Sequence, residues 1–233
     1  MSPASLPDGY RALVIGASGA IGAAMLQHLG VDGRCGLALG LHRQSRPAIN
    51  FDDEASIALA AAALAPQGPF HLIVNAAGLL HRDGVMPEKK LGDLGYAQLE
   101  ATFRANTFGP ALVLRHFSPL LDRQRAVLAL LSAKVGSIGD NRLGGWYGYR
   151  ASKAALNMLV KTAAIELRRT QPQAVLVALH PGTVASGLSR PFKGDQIGRA
   201  PDLAAAQMLQ VLEGLGPADS GSFVAYDGQR LPW

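Results

Sequence analysis

The chain has 233 residues, of which 48% are hydrophobic and 17% are charged, and its formal net charge at pH 7 is +5. This composition excludes disorder as the main state, and no apolar stretch approaches the roughly 20 residues that span a bilayer, so we expect no membrane association. The basic residues are scattered rather than massed with aromatic residues, which argues against a nucleic-acid partner.

The N-terminus and the cysteine content bear on the cellular compartment. The first nine residues have neither a basic start nor an apolar core, so we expect no signal peptide. A single cysteine, Cys35, cannot form an internal disulfide and is interpreted as a small buried hydrophobic residue. We therefore expect a cytoplasmic protein, and we predict no metal site.

Predicted strands and helices alternate along the chain. The strands are predicted at residues 11–15, 36–41, 70–74, 126–131, 174–179 and 222–226, and the helices near residues 20–29, 53–65, 96–118, 149–169 and 202–214. The strands are apolar runs without polar alternation, which is typical of parallel strands that are covered on both faces. Right-handed crossovers then predict an α/β fold: one doubly wound Rossmann-type domain over residues 1–233, with a mostly parallel sheet flanked by helices.

A glycine-rich turn follows the first predicted strand and opens the first helix. Gly16 permits the turn, Gly19 lets the backbone approach a ligand, and Gly22 allows close packing of helix on strand. The helix N-terminus would present free N–H groups to phosphates. We therefore predict that a dinucleotide pyrophosphate is held by Gly16, Ser18, Gly19, Ala20, Ile21 and Gly22.

The segment after the second predicted strand bears on the choice of cofactor. Residues 42–46 include basic side chains and no carboxylate. An acidic residue there would bind the adenosine ribose hydroxyls, whereas a guanidinium would attract a 2′-phosphate. We therefore predict NADP(H) rather than NAD(H), with His42, Arg43 and Ser45 as contacts. The alternative interpretation is an ordinary solvated loop.

Tyr149 and Lys153 lie four residues apart near the start of a predicted helix, so they share one helix face. A tyrosine titrates near pH 10, and acid–base work near neutrality requires a pKa about 3 units lower, or roughly 4 kcal/mol. A fixed cation beside the oxygen acts in that direction, so Lys153 is expected to lower the pKa of Tyr149. The alternative is simple packing plus a solvated amine.

The glycine turn and the Tyr-x-x-x-Lys pair together resemble the short-chain dehydrogenase/reductase family, and the resemblance runs through nearly the whole chain. Residues 75–78 resemble the Asn-Ala-Gly turn after the family's fourth strand, and Asn106 resembles the mid-helix asparagine that holds a water in the proton relay. Residues 180–184 resemble the segment that contacts the nicotinamide carboxamide. The resemblance adds these cofactor positions: Phe51 near the adenine, Asn75, Ala76, Ala77, Gly78, Lys153, Pro181, Gly182, Thr183 and Val184. Three further segments, residues 136–141, 144–147 and 188–192, resemble the C-factor-like branch.

Two departures from the family pattern limit what the resemblance implies. Gly19 and Ala20 reverse the usual order in the glycine turn, and Ala133 stands where the family has its catalytic serine. Loss of one such donor typically costs about 10²–10³ in rate. Ser137 and Ser132 are the candidate replacements, although both could simply bond local backbone groups.

The resemblance implies an NADP(H)-dependent oxidoreductase that transfers hydride between nicotinamide and a small carbonyl or alcohol substrate. Tyr149 would be the general acid, Lys153 would hold the ribose, and Asn106 would anchor the water. Residues 185–199, hereafter the lid, would cover the substrate, and the Pro191–Phe192 pair would either form part of its wall or act as a surface staple that holds the loop. Homodimers or homotetramers would form through the two long helices. The alternative is a nucleotide-binding sensor or a cell-signalling protein with weak or no catalysis, a role that Ala133 favours.

Overall fold

The computed structural model describes residues 6–82 and 84–233, and its strands form one six-stranded parallel sheet. The strands are β1 (Tyr10–Ile15), β2 (Cys35–Leu41), β3 (Leu72–Asn75), β4 (Ala126–Leu131), β5 (Ala174–His180) and β6 (Ser222–Ala225). The helices are α1 (Ala20–Val31), α2 (Glu54–Leu64), α3 (Tyr96–Phe103), α4 (Gly109–Phe117), α5 (Tyr147–Leu167), α6 (Gly194–Ile197) and α7 (Pro201–Gly214). The strand order is β2-β1-β3-β4-β5-β6, which confirms the predicted doubly wound fold.

Helices cover both faces of the sheet, and each strand sends alternate side chains into two hydrophobic clusters. Leu13 and Ile15 of β1 pack with residues of α2, α4 and α5, whereas Ala12 and Val14 pack with residues of α1 and α7. All four side chains are fully buried. Burial on both faces is the physical reason that the strands read as continuous apolar runs. None of the helices in the described part of the chain is long and apolar enough to cross a membrane.

The predicted element boundaries are close to those observed, and a side chain explains the start of α2. The helix predicted from residue 53 begins at Glu54 because the Asp53 carboxylate accepts a hydrogen bond from the Ala55 N–H, 3.1 Å away. Asp53 is therefore the N-cap of α2.

The helix predicted at residues 96–118 is interrupted in the structure. A π-helical segment, Arg104–Phe108, separates α3 from α4. Pro110 contributes to the break because it has no backbone N–H and cannot donate the α-helical bond to the carbonyl of Asn106. Short π-helical segments of this kind are frequent at functional sites.

The strand order reverses at β1, because β2 lies on one side of β1 and β3 on the other, and this leaves a crevice at the carboxyl edge of the sheet. The Gly16 N–H donates to the Leu41 carbonyl at 2.8 Å, and the Ala76 N–H donates to the Ile15 carbonyl at 2.7 Å. The residues that follow β1 and β3 therefore meet at this edge. The Asn-Ala-Ala-Gly turn, assigned by resemblance to a fourth strand, follows the third strand of this chain.

Candidate active site

The glycine turn is packed too tightly for side chains at two positions. A β-carbon on Gly16, which has φ +84°, would lie 2.7 Å from the Ala77 nitrogen. A β-carbon on Gly22 would lie 2.3 Å from the Gly16 carbonyl oxygen. Glycine is therefore required at both positions so that α1 can approach the turn and point its N-terminus at the carboxyl edge.

The exposed part of the turn is open to a ligand. Gly19 is the N-cap residue of α1, and a β-carbon there would make only an ordinary 3.4 Å contact with the Gly16 oxygen. No side chain caps this helix end, and Ser18 and Gly19 are exposed. The cradle formed by the two closely packed glycines and the uncapped N-terminus of α1 thus fits a dinucleotide pyrophosphate.

The loop after β2 presents two cations of the kind that a phosphate requires. Arg43 and Arg46 are exposed, and within residues 6–82 and 84–233 neither has a hydrogen-bond or ion-pair partner. The Ser45 hydroxyl, in contrast, accepts from the His42 N–H at 2.9 Å and donates to the carbonyl oxygens of His42 and Pro47. Ser45 therefore closes the loop, and the guanidinium groups are the groups that remain available.

Phe51, predicted near the adenine, is half-buried and packs against α4, and its contact with the adenine stays a prediction. A β-carbon on Gly109 would lie 2.3 Å from the Phe51 ring, so the ring fills the space that the glycine leaves. The side chain is partly buried against the cluster of α2, α4 and α5. The sequence interpretation did not include this packing role.

Tyr149 and Lys153 both lie in the first two turns of α5. The Lys153 side chain is 3% exposed, and its Nζ donates a hydrogen bond to the carbonyl oxygen of Leu131 at the end of β4, 2.8 Å away. The ammonium lies 5.8 Å from the centre of the Tyr149 ring. Gly136 makes this packing fit, because a β-carbon there would lie 2.7 Å from the Lys153 Cβ.

The expectation that Lys153 lowers the pKa of Tyr149 is wrong for this structure. Burial raises the pKa of Tyr149 to about 12, even though part of the side chain stays accessible. Burial also lowers the pKa of Lys153 to about 7, which weakens the cation that was expected to stabilise the phenolate. The phenol is therefore held protonated at neutral pH, which suits a proton donor.

Asn106 lies at the centre of the π-helical segment, fully buried, and fastens the turn after β3. Its Oδ1 accepts from the Leu79 N–H at 2.8 Å, and its Nδ2 donates to the Leu79 carbonyl at 2.7 Å and to the Ser152 hydroxyl at 3.2 Å. A β-carbon on Gly78 would lie 3.3 Å from Asn106 Oδ1 and 3.6 Å from Lys153 Nζ. The structure thus brings Gly78, Asn106 and Lys153 together, and both amide hydrogens of Asn106 are already bonded.

The two serines proposed as replacements at position 133 have other partners. Ser132 is 2% exposed and donates to Asn157 Oδ1 of α5 at 2.6 Å. Ser137 is 1% exposed, donates to the Trp233 carbonyl at 3.2 Å and accepts from the Asp140 N–H at 3.2 Å. Ser137 thus bonds backbone groups, one of them local, as in the alternative interpretation, whereas Ser132 bonds a side chain 25 residues away. Replacement of the missing hydroxyl by either serine stays a hypothesis without geometric support.

The Pro-Gly segment after β5 is held by a residue that sequence reasoning missed. The Arg199 guanidinium lies 3.3 Å from the centre of the Tyr226 ring and donates to the Pro181 carbonyl. Gly182 has φ +69°, and a β-carbon there would lie 2.7 Å from Arg199 Nη2. Thr183 is exposed, whereas Val184 is buried. No pattern in the sequence linked position 199 to position 181.

The lid is joined at its base and contacts the start of α5. The Ala185 N–H donates to the Arg199 carbonyl at 2.9 Å, and the Arg199 N–H donates to the Thr183 carbonyl at 3.0 Å. The Phe192 ring lies 4.8 Å from the Trp146 ring, centre to centre. The lid therefore lies over the turn that carries Tyr149.

Glu88 is a second residue that the sequence did not single out. Its side chain is 3% exposed, and its Oε2 accepts from the Gly148 N–H in the first turn of α5 at 3.0 Å. The Glu88 carbonyl accepts from the Trp146 N–H at 2.5 Å. The segment before α3 is thereby fixed to the start of the helix that bears Tyr149. Its sequence setting, in a polar loop, gave no indication of burial.

Two cavities exclude the Tyr149–Lys153 pair, although one of them is lined by Ser137. One, of about 460 Å³, is lined by Tyr147 and Arg150 rather than by Tyr149. The other, of about 280 Å³, lies between α1 and α7 and is lined by Tyr10 at the amino end of β1. Neither is lined by Tyr149 or Lys153. The convergence of side chains, not cavity size, therefore locates the candidate active site.

The family model described as short chain dehydrogenase matches residues 10–196 of the chain. The chain belongs to the short-chain dehydrogenase/reductase family. This membership confirms the family predicted from the glycine turn and the Tyr-x-x-x-Lys pair, and it makes the protein a member of a family of hydride-transfer oxidoreductases.

This short-chain dehydrogenase is similar in sequence to two known relatives. It is 34% identical over 187 residues to 1-hydroxy-2-glutathionyl-2-methyl-3-butene dehydrogenase of Rhodococcus sp. (strain AD45), a match that covers 80% of this chain and 79% of the relative. It is 40% identical over 169 residues to C-signal of Myxococcus xanthus, covering 71% and 94% of the two chains. The C-signal match supports the predicted C-factor-like branch.

The crystal structure of NADPH-bound carbonyl reductase from chicken fatty liver has the same fold. It superposes with a TM-score of 0.84 at 25% sequence identity, covering 100% of this chain and 97% of the other. The likeness therefore extends over the whole sheet and both helical layers.

Proposed function

We propose that this protein is an NADP(H)-dependent reductase of small carbonyl compounds, with Tyr149 as the proton donor. The observation that carries the proposal is the convergence of a protonated phenol, a buried amine and the glycine cradle at one edge of the sheet. The NADPH-bound state of the chicken carbonyl reductase supports the choice of cofactor.

Tyr149 and Lys153 would have separate roles in the reaction. The nicotinamide supplies the hydride when the cofactor is bound. The Tyr149 O–H bond breaks and its proton goes to the carbonyl oxygen of the substrate, so that an alcohol forms. Lys153 uses one ammonium hydrogen on Leu131, and its remaining hydrogens are available for the ribose hydroxyls and the phenolate oxygen.

The proton that Tyr149 gives up has to be replaced. We infer that Asn106 contributes through its backbone carbonyl, since Pro110 cannot donate the α-helical bond to that oxygen and the side-chain amide is occupied by Leu79 and Ser152. A water bound to that carbonyl would lie beside Lys153, which Gly78 brings close to Asn106.

The preference for NADP(H) rests on Arg43 and Arg46. Both guanidinium groups are exposed and without a partner among the described residues, and no carboxylate follows β2 that would repel a 2′-phosphate. Hydrogen bonds to charged groups contribute about 1.5–3 kcal/mol, so the two arginines supply the discrimination.

Titration with NADPH and with NADH, followed by nicotinamide fluorescence, tests the cofactor assignment. We expect micromolar affinity for NADPH and much weaker binding of NADH. The double variant Arg43→Ala/Arg46→Ala should lose about tenfold or more in NADPH affinity while NADH affinity stays the same. Equal losses for both cofactors would overturn the phosphate role of the arginines, and binding of neither cofactor to the wild type would overturn the reductase proposal.

Tyr149→Phe tests the chemistry and separates the two classes of function. The variant keeps the ring but removes the hydroxyl, so we expect NADPH affinity to be retained and carbonyl reduction to fall by about 10²-fold or more. Tyr96→Phe, at an exposed tyrosine, is the matched control. A biological activity that survives Tyr149→Phe would favour the sensor or signalling role to which the C-signal kinship draws attention.

We also propose that the protein forms a homodimer or homotetramer through α5 and the neighbouring α4. Met158 and Ile165 of α5 are 66% and 50% exposed in the single chain, and the face that bears them is otherwise rich in alanine. Sedimentation of the wild type and of Met158→Glu tests this arrangement, because a charge at the interface should produce monomers. A monomeric wild type would overturn it.

A further inference from the structure

Three consecutive residues before α5 adopt the left-handed backbone conformation. Gly144, Gly145 and Trp146 have φ values of +62°, +64° and +53°. Glycine accepts this conformation freely, but Trp146 carries a β-carbon that makes it unfavourable. The surrounding structure must therefore hold Trp146 in place.

Two residues outside the turn, Glu88 and Arg150, hold it. The Glu88 carbonyl accepts from the Trp146 N–H at 2.5 Å, and the Glu88 carboxylate bonds Gly148 two residues later. Arg150 donates from Nε to the Gly145 carbonyl at 2.9 Å and from Nη2 to the Gly144 carbonyl at 3.1 Å. The Trp146 backbone is thus fixed on both sides, so its indole has a defined place relative to Tyr149.

The indole lies among aromatic rings next to the proton donor. The Trp146 ring centre is 6.2 Å from that of Tyr149, edge to face, and 4.8 Å from that of Phe192. The centre of the His81 ring lies 6.0 Å from that of Phe192. Phe192 belongs to the lid and is partly buried. In this structure the lid therefore places its own aromatic ring on the indole beside Tyr149.

We propose that Trp146 is the specificity-determining residue and that it selects aryl aldehydes and aryl ketones. A planar aromatic substituent packs on the indole where Phe192 packs here, and this places the adjoining carbonyl at the Tyr149 hydroxyl. Offset and edge-to-face ring contacts favour an aromatic group over a saturated ring of the same size. The inference rests on the proposed reductase function, and it adds the substrate class.

Steady-state NADPH oxidation with benzaldehyde and with cyclohexanecarbaldehyde tests the inference, since the two aldehydes differ in ring planarity but not in carbon number. The measured quantity is the ratio of the two kcat/KM values in each variant divided by the wild-type ratio, which cancels intrinsic reactivity. We expect Trp146→Leu to lower the ratio about tenfold and Trp146→Phe to keep most of it. Trp233→Phe, at the other tryptophan, should leave it unchanged.

A binding measurement without catalysis separates this inference from the proposed function. In Trp233→Phe, Trp146 is the sole tryptophan and its fluorescence reports ligands directly. Benzyl alcohol should change this fluorescence at lower concentration than cyclohexylmethanol does. Turnover of both aldehydes with an unchanged ratio in Trp146→Leu would overturn the inference and leave the reductase intact. A selective response to benzyl alcohol without any NADPH oxidation would overturn the reductase and leave the aromatic site standing.

Discussion

The ammonium of Lys153 donates a 2.8 Å hydrogen bond to the carbonyl of Leu131. The contact fastens α5 to the end of β4, and it does so with a group that is 3% exposed and forms no ion pair within residues 6–82 and 84–233. The folded protein therefore carries a buried cation at low pH, which makes stability sensitive to its titration.

Lys153→Met should make the protein more stable in acid and change its pH dependence. Burial lowers the pKa of Lys153 from 10.5 to about 7, so the unfolded chain binds more protons between these values and wild-type stability rises with pH across that window. The advantage of the variant over the wild type should be largest near pH 6 and shrink by up to roughly 5 kcal/mol as the pH approaches 10. Urea unfolding of both proteins without cofactor, from pH 6 to 9.5, measures the difference. An advantage that does not change with pH would contradict the low pKa.

Gly22→Ala should disrupt the cofactor cradle. Its β-carbon would lie 2.3 Å from the Gly16 oxygen, so α1 must move away from the turn. We expect a loss of stability of about 1–3 kcal/mol and a loss of NADPH affinity of at least about tenfold. Gly30→Ala on the same helix meets nothing within 4 Å and should be neutral or stabilising by about 0.5–1 kcal/mol. Equal behaviour of the two variants in unfolding and NADPH titration would show that the close approach is unimportant.

Ala133→Ser should raise the rate of carbonyl reduction. The position follows β4 and precedes the short helical turn Lys134–Gly136, and the resemblance to the family predicts a serine there. A hydroxyl there would polarise the substrate carbonyl, and such a donor is typically worth about 10²–10³ in rate. We expect kcat to rise by at least about tenfold with NADPH affinity unchanged. A rate that stays at the wild-type value would indicate that another group already supplies this hydrogen bond.

Ser132→Ala should cost stability but leave catalysis intact. Removal of the hydroxyl takes away the partner of Asn157 Oδ1, a buried atom, which typically costs about 1–3 kcal/mol. A double-mutant cycle with Asn157→Ala in urea unfolding should show coupling between the two residues. A fall in kcat larger than about threefold without a matching loss of stability would instead revive Ser132 as the substitute hydroxyl.

Glu88→Ala should lower kcat by about tenfold, because it leaves the Gly148 N–H unbonded and loosens the turn of α5 that bears Tyr149. Glu88→Gln keeps an acceptor oxygen for this N–H and should retain most of the activity. Asp53→Ala removes a comparable contact at the start of α2, so it should lower stability by about 1 kcal/mol without changing kcat. Steady-state kinetics alongside urea unfolding would check all three. Equal loss in Glu88→Gln and Glu88→Ala would contradict the role of the hydrogen bond.

The sequence by itself determined the fold and most of the cofactor cradle. Strands such as β1 read as apolar runs because both faces of a parallel sheet are buried, and Gly16 and Gly22 stand where only a hydrogen fits. These features depend on local conformation and on burial that recurs along every strand. They can therefore be predicted from residue spacing and residue type alone.

Tertiary structure decided the electrostatics and the supports of the site. The pKa values of Tyr149 and Lys153 moved away from the expected pattern because burial, which depends on packing from several elements, outweighed their mutual proximity on one helix. Glu88 and Arg199 act on segments that are 60 and 18 residues away in the chain, respectively. Such contacts form only when distant parts of the chain come together in the fold. No local sequence pattern therefore predicts them.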